Sequence, residues 1–254
     1  MKIKYGTILV GLVLAVSSVI GCDSDVDDEV EEQPAVGEEQ EPEADEPASE
    51  EEADGDEQPR ANETEIPDDS EIGQLPEGIG LAAGESAPDV AADDADGEEV
   101  NLLELVEDEA IVLFFYRGGW CPFCNFQIRE MTEANEQFSE RGVRPVAISV
   151  DRPEAAADTS SAYEIPFPVL SDPDLVVHEA FNVTYEAEDE EVERLAEFGM
   201  DLEEASGRDH NSYAIPGVFI IDADGTIKWA HANLDYKIRP SVQQLLGVID
   251  DLFE

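Results

Sequence analysis

Residues 79–254 predict a three-layer α/β domain. Two patterns predict it: apolar runs of strand length alternate with helical segments, and the last strand pair turns back as a hairpin before a closing helix. Residues 87–100 read as a short hairpin turning at Asp96-Gly97. Residues 111–116 are unbroken in apolar character, as in a strand buried on both faces. After Arg117-Gly118-Gly119, residues 122 to about 140 have helical character. Phe123, Phe126, Met131, Ala134 and Phe138 supply the apolar positions, and Arg141-Gly142 closes the helix.

Residues 143–150 form a second buried strand, and the Ala-rich residues 153–163 a helix entered through Pro153. Val169-Leu170 is a short strand and 174–181 a short helix. Residues 217–221 are a third strong strand, Asp224-Gly225 a hairpin turn, and 226–230 the returning strand. Residues 240–253 close with a helix whose apolar face is Val242, Leu245, Leu246, Val248, Ile249 and Leu252.

The chain has 254 residues, with 64 acidic residues against 13 basic ones and a formal net charge of −51. Such a balance argues against nucleic acid as a partner, because phosphate contacts need clustered Lys and Arg. Residues 23–75 hold 24 acidic residues against Arg60 alone, with almost no large apolar side chain. A segment of that composition cannot bury enough surface to offset its ordering entropy. Residues 23–78 are therefore expected to be a disordered acidic linker.

Residues 1–22 read as an address. A basic start, Lys2 and Lys4, precedes the apolar run 8–20, which ends in Val19-Ile20-Gly21-Cys22. The run is too short to span a bilayer comfortably but suits a secretory signal. Its end resembles the bacterial lipobox, which implies acylation of Cys22 and a lipid anchor outside the cytoplasm.

The chemistry concentrates in Trp120-Cys121-Pro122-Phe123-Cys124, which follows a buried strand and opens a helix. Free N–H groups and the helix dipole stabilise a thiolate at that place. The two-residue gap brings the sulfurs within disulfide reach, so that a nucleophile and a resolving thiol sit side by side. Zinc is the weaker alternative, since only Cys22 and the scattered His178, His210 and His231 remain as ligands. A structural disulfide would constrain little chain. No metal or organic cofactor is expected. Ile215-Pro216, at the entry of the third strong strand, marks a fixed turn.

The stretch Phe115-Tyr116-Arg117-Gly118-Gly119-Trp120-Cys121-Pro122-Phe123-Cys124 resembles the peroxiredoxin-like, AhpC/TSA-type branch of the thioredoxin superfamily. Ala87-Pro88-Asp89, Phe167-Pro168-Val169-Leu170-Ser171-Asp172, Ile220-Ile221-Asp222-Ala223-Asp224-Gly225 and residues 229–236 are similar to the same branch, as is the insertion around residues 198–202. The resemblance implies a thioredoxin-like α/β/α domain with a mixed central sheet. It also implies a thiol-based reduction of hydrogen peroxide or organic hydroperoxides, with a thioredoxin-like dithiol protein as electron donor.

By that resemblance Cys124 is the peroxidatic position, and Cys121 replaces the family's Thr or Ser. Gly118 stands where the family has Pro, and Pro216 where it has the peroxide-activating Arg. Arg117 is close enough in sequence to supply a compensating cation. Trp120 and Pro216 are expected to flank the substrate pocket, the proline packing beside the cysteine pair as in thioredoxin-like domains. His231 and Arg239 resemble family positions without an assignable role. The same residues leave open a thiol–disulfide reductase, in which Cys121, as the more exposed sulfur, attacks a protein disulfide. They also leave open an anchored binding module.

Overall fold

The computed structural model describes residues 70–253, all within the second of the two units into which the chain divides, residues 57–254. The signal sequence, Cys22 and most of the acidic linker lie outside the described residues. The elements in order are β1 (Ala91–Asp94), β2 (Glu99–Asn101), α1 (Leu102–Val106), β3 (Ala110–Phe115), α2 (Pro122–Glu133), α3 (Asn135–Ser139), β4 (Val143–Ser149), α4 (Pro153–Ala162) and β5 (Val169–Ser171). They continue with α5 (Val176–Ala180), β6 (Thr184–Glu186), α6 (Asp189–Glu197), α7 (Leu202–Ser206), β7 (Ser212–Ala214), β8 (Gly217–Ile221), β9 (Ile227–Ala232) and α8 (Val242–Phe253).

Seven strands form one mixed sheet in the order β2-β1-β5-β4-β3-β8-β9. The central pairs β3–β4 and β4–β5 are parallel, whereas β8 and β9 join antiparallel. Side chains alternate across β3: Val112 and Phe114 enter the cluster shared with α2, α3, α4 and α8, while Ile111, Leu113 and Phe115 enter the one shared with α1 and α5. Both faces are covered, so β3 reads as a continuous apolar run. This is the thioredoxin-like α/β/α arrangement with a mixed sheet.

Several elements differ from the sequence expectation. The helix expected over 122–140 breaks at Ala134, where ψ turns to 2°, into α2 and α3. The short helix expected at 174–181 is narrower: Leu175 adopts a left-handed conformation before α5 begins. Helices α1, α6 and α7 and the two-stranded sheet β6–β7 are additional. Residues 71–78, assigned to the linker by composition, already engage the domain. The Gln74 carbonyl accepts the Ala232 N–H at 3.1 Å, Asn233 donates to Glu71 at 3.1 Å, and Leu75 packs on the α1–α5 face. No helix among the described residues is long and apolar enough to cross a membrane.

α8 is held by Leu245 and Ile249, both fully buried. Truncating Leu245 to Ala leaves a cavity beneath the sheet, and is expected to cost about 2–5 kcal/mol. Urea unfolding should show a lower midpoint at unchanged slope.

Candidate active site

The cysteine pair sits where β3 hands over to α2. Cys121 is the N-cap of α2, extended at φ −89° and ψ 115°, and Pro122 fills the first helical position, where no N–H is needed. Cys124 therefore falls in the first turn, on the inward face. Both thiols are free. Neither is accessible: Cys121 is 1% and Cys124 0% exposed. Cys121 is the slightly less buried of the two, and both sulfurs belong to the apolar cluster built on Phe114, Ile128 and Val218.

Three donors converge on Cys124. The backbone N–H of Arg117 reaches Sγ at 3.4 Å, and Nη2 of Arg239 reaches it at 3.3 Å. The Cys121 thiol supplies the third hydrogen bond. Burial alone would push the Cys124 pKa up. The bond from Cys121, the Arg239 charge and the Arg117 N–H outweigh it and hold Cys124 well below the ordinary thiol range. Cys121 moves the other way. Its bond to Cys124 and then its burial raise it, so it stays a thiol. The two shifts are opposite, Cys124 toward the thiolate and Cys121 toward the thiol.

Arg239 is aimed by two further bonds, Nε to the Tyr236 carbonyl at 2.7 Å and Nη1 to Gln127 Oε1 at 2.5 Å. Neither acceptor is a carboxylate, so the guanidinium meets the sulfur with its charge uncancelled by these partners. The sequence singles out Arg239 but gives it no role, because its contact with Cys124 spans 115 positions.

Arg117 serves differently from the expectation. Its backbone, not its charge, reaches the sulfur. The guanidinium lies over Trp120, Tyr213 and Tyr236, at 4.9, 4.4 and 4.7 Å from the ring centres, and pairs with Glu191 at 3.5 Å. Glu191 also accepts from Tyr213 at 2.7 Å and from Tyr185 at 3.0 Å. This carboxylate on α6, unforeseen in the sequence, is the reason that the Arg117 side chain turns from the sulfur.

The two expected pocket residues line different cavities. Pro216 lines a cleft of about 340 Å³ with Arg117, Tyr213, Leu234 and Tyr236. Trp120 lines another of about 410 Å³, with Gly119, Asp151 and residues of α4 and α7. Gly118 has φ +149°, and a Cβ there would stand 2.2 Å from Trp120 Nε1. A proline, fixed near φ −65°, cannot take that conformation. Of the histidines, His178 bonds Asp172 at 2.6 Å, His210 meets the Pro173 carbonyl and His231 the Ile238 carbonyl. Among the described residues no three His, Cys, Asp or Glu side chains are grouped to hold a metal ion.

The AhpC/TSA family model matches residues 83–230, which include both cysteines and the strands that position them. The chain belongs to the AhpC/TSA family. It is 32% identical to peroxiredoxin Bcp of Escherichia coli over 103 residues, covering 41% of this chain and 65% of that protein. It is 30% identical to the thiol-disulfide oxidoreductase ResA of Halalkalibacterium halodurans over 102 residues, covering 40% and 57%. Among solved structures, peroxidoxin BcpB of Mycobacterium tuberculosis superposes with a TM-score of 0.54 at 20% identity, covering 68% of this chain and 99% of that one. Reduced Prx3 of Vibrio vulnificus in complex with hydrogen peroxide gives 0.55 at 16%, covering 66% and 99%. These superpositions show a shared fold. Family and cysteine pair together place the chain among peroxiredoxin-like oxidoreductases.

Arg239→Gln keeps a polar side chain but removes the charge beside Cys124. Alkylation of Cys124 by iodoacetamide at neutral pH should slow about tenfold or more, since each unit of raised pKa lowers the thiolate fraction tenfold once the pKa exceeds the pH. Arg239→Lys should recover only part of the rate, because an ammonium cannot hold all three contacts at once.

Proposed function

We propose that the domain is a thiol peroxidase that reduces hydrogen peroxide or organic hydroperoxides through Cys124 and Cys121. The observation that carries this reading is the Cys124 sulfur itself. It is buried, receives Arg117 N–H and Arg239 Nη2, and is bonded by a second thiol. The Cys124 thiolate attacks one oxygen of the O–O bond, forming S–OH and expelling the other oxygen as alkoxide or hydroxide, which takes up a proton. The Arg239 guanidinium is placed to stabilise the charge leaving on that oxygen. Cys121 then displaces the sulfenic hydroxyl as water and closes the disulfide. A thioredoxin-like dithiol protein returns two electrons and restores the pair.

The likeness to ResA favours a second reading, exchange with protein disulfides. Burial of both sulfurs supports the peroxide instead, because a small oxidant needs less opening than a protein disulfide. In this reading Arg117 and Pro216 wall one cleft beside the motif, and Trp120 walls the other. For the residues outside the described part, the proposal keeps 1–22 as a lipoprotein signal, Cys22 as the acylated residue and 23–78 as the linker. The protein would then be anchored on a membrane of the bacterial envelope, facing out of the cytoplasm. The support is the sequence pattern ending at Gly21-Cys22.

Cys121→Ser should retain a peroxide-reactive thiol, trapped by dimedone as a sulfenic acid, and Cys124→Ser should lose it. The reverse pattern would move the nucleophile to Cys121. The wild-type chain expressed in bacteria should incorporate radiolabelled palmitate, and Cys22→Ser should abolish both the label and recovery in the membrane fraction. Equal labelling of the two would remove the anchor.

A further inference from the structure

Two arginines touch Cys124, and only one of them brings its charge to the sulfur. Arg239 Nη2 lies 3.3 Å from Sγ. Arg117 reaches the same atom at 3.4 Å, but through its backbone N–H. A side chain that starts from a residue whose amide touches the sulfur is long enough to bring its guanidinium there by rotating about its own bonds. It does not do so. Its Nη2 pairs with Glu191 at 3.5 Å, and its guanidinium carbon lies 4.9, 4.4 and 4.7 Å from the ring centres of Trp120, Tyr213 and Tyr236.

The hold on that guanidinium is electrostatic more than directional. Nε of Arg117 has no hydrogen-bond partner among the described residues, and the ion pair to Glu191 is long. Glu191 itself is fixed more firmly, by the Tyr213 hydroxyl at 2.7 Å and the Tyr185 hydroxyl at 3.0 Å. The side chains of Arg117 and Glu191 are 8% and 17% exposed, so salt screens their attraction little. Both line the cleft of about 340 Å³, which gives the guanidinium room to move. The neighbouring charges do not replace this pair. Arg194 of α6 meets Glu191 at 3.4 Å but is 61% exposed, and solvent screens it. Glu188, at the N-cap of α6, bears on Tyr185. Lys237 lies over the rings of Phe123 and Tyr236 at 6.0 and 5.8 Å. Asp151, just past β4, accepts the Gly119 N–H at 2.8 Å and the Ser149 hydroxyl at 3.0 Å.

Resting on the proposed function for the choice of Cys124 as nucleophile, we propose that Glu191 is a positioning residue: it confines the Arg117 cation to the aromatic cleft, so that Cys124 meets one guanidinium charge rather than two. The consequence is for reactivity. Cys124 is already held well below the ordinary thiol range by the donors it has. For a thiol that is ionised at the working pH, a further fall in pKa adds no thiolate and lowers nucleophilicity. Glu191 thus keeps Arg117 as an amide donor and leaves the sulfur the stronger nucleophile.

The pH profile of Cys124 alkylation tests this. The reduced full chain is treated with iodoacetamide from about pH 4 to 9, and the Cys124 peptide is followed by mass spectrometry. The midpoint of the profile then reports the ionisation of this one sulfur. Glu191→Gln keeps the shape and an oxygen that accepts from a tyrosine, but not the charge. It should move the midpoint to lower pH by about half a unit or more, as one poorly screened charge does. Adding Arg117→Met should abolish that shift, because the released cation is its cause. Glu191→Asp withdraws the carboxylate by one methylene. It should move the midpoint the same way by less, and it keeps the test open if the Gln variant fails to fold. A merely structural Glu191 gives the opposite sign, since a loosened Arg117 amide leaves Cys124 harder to ionise. A midpoint that stays or rises on loss of the Glu191 contact, or an acid shift that survives in the double variant, would overturn the proposal. Alkylation needs no peroxidase activity: an acid shift beside no reaction of Cys124 with hydrogen peroxide would support the role of Glu191 and overturn the peroxidase reading alone.

Discussion

A sulfur anion held inside an apolar cluster is the constraint on which the rest of the site depends. Taking such a charge out of water costs several kcal/mol even after relaxation. Charge-assisted hydrogen bonds return about 1.5–3 kcal/mol each. Three of them, from the Arg117 N–H, Arg239 and Cys121, are of the right size to offset the cost. The fold exists, for this purpose, to bring those donors to one atom. β3 delivers the Arg117 amide, the turn into α2 places Cys121 three residues before Cys124, and the segment between β9 and α8 returns Arg239. A guanidinium suits the last task because its fork bonds the Tyr236 carbonyl, Gln127 and the sulfur together.

The departures from the family pattern fit one another in this geometry. Gly118 adopts a positive φ closed to proline and lets Trp120 and Asp151 close on the loop. Pro216 leaves the entry of β8 without a cation, and Arg239 supplies one from beyond β9. A thiol in place of the hydroxyl at residue 121 still donates to Cys124, and in the proposed cycle it is the resolving group. The Arg117 side chain, freed from the sulfur, ties α6 to the motif through Glu191 and three aromatic rings. α6 has no fully buried residue, and this polar junction adds to the packing of its half-buried Val192 and Leu195 in attaching that helix.

Much of the fold was legible because the central strands are buried on both faces. β3 and β8 are continuous apolar runs, and β4 is one from Pro145 to Ile148, which no helical period explains. α6 was not legible, since its apolar stripe is reduced to Val192 and Leu195 within an acidic run, and β6 and β7 are three residues each. The break at Ala134 left no mark in composition. The cysteine pair was legible because its chemistry is local: a two-residue gap at a helix start. Arg239, Glu191 and Asp151 were not, because each reaches the motif through tertiary structure, and in so acidic a chain one carboxylate looks like any other. Leu75 held the signal that the domain starts before residue 79, a large apolar residue at the end of an otherwise polar segment.

Direct titration of Cys124 in the reduced wild-type chain, followed by the ultraviolet absorbance of the thiolate and assigned with Cys121→Ser and Cys124→Ser, is the measurement that bears most directly on this account. It predicts one sulfur ionising well below the free-thiol value of about 8.5 and the other far above it. Two thiols that both ionise near or above that value would show that burial wins over the three donors, and that no primed nucleophile stands at the start of α2.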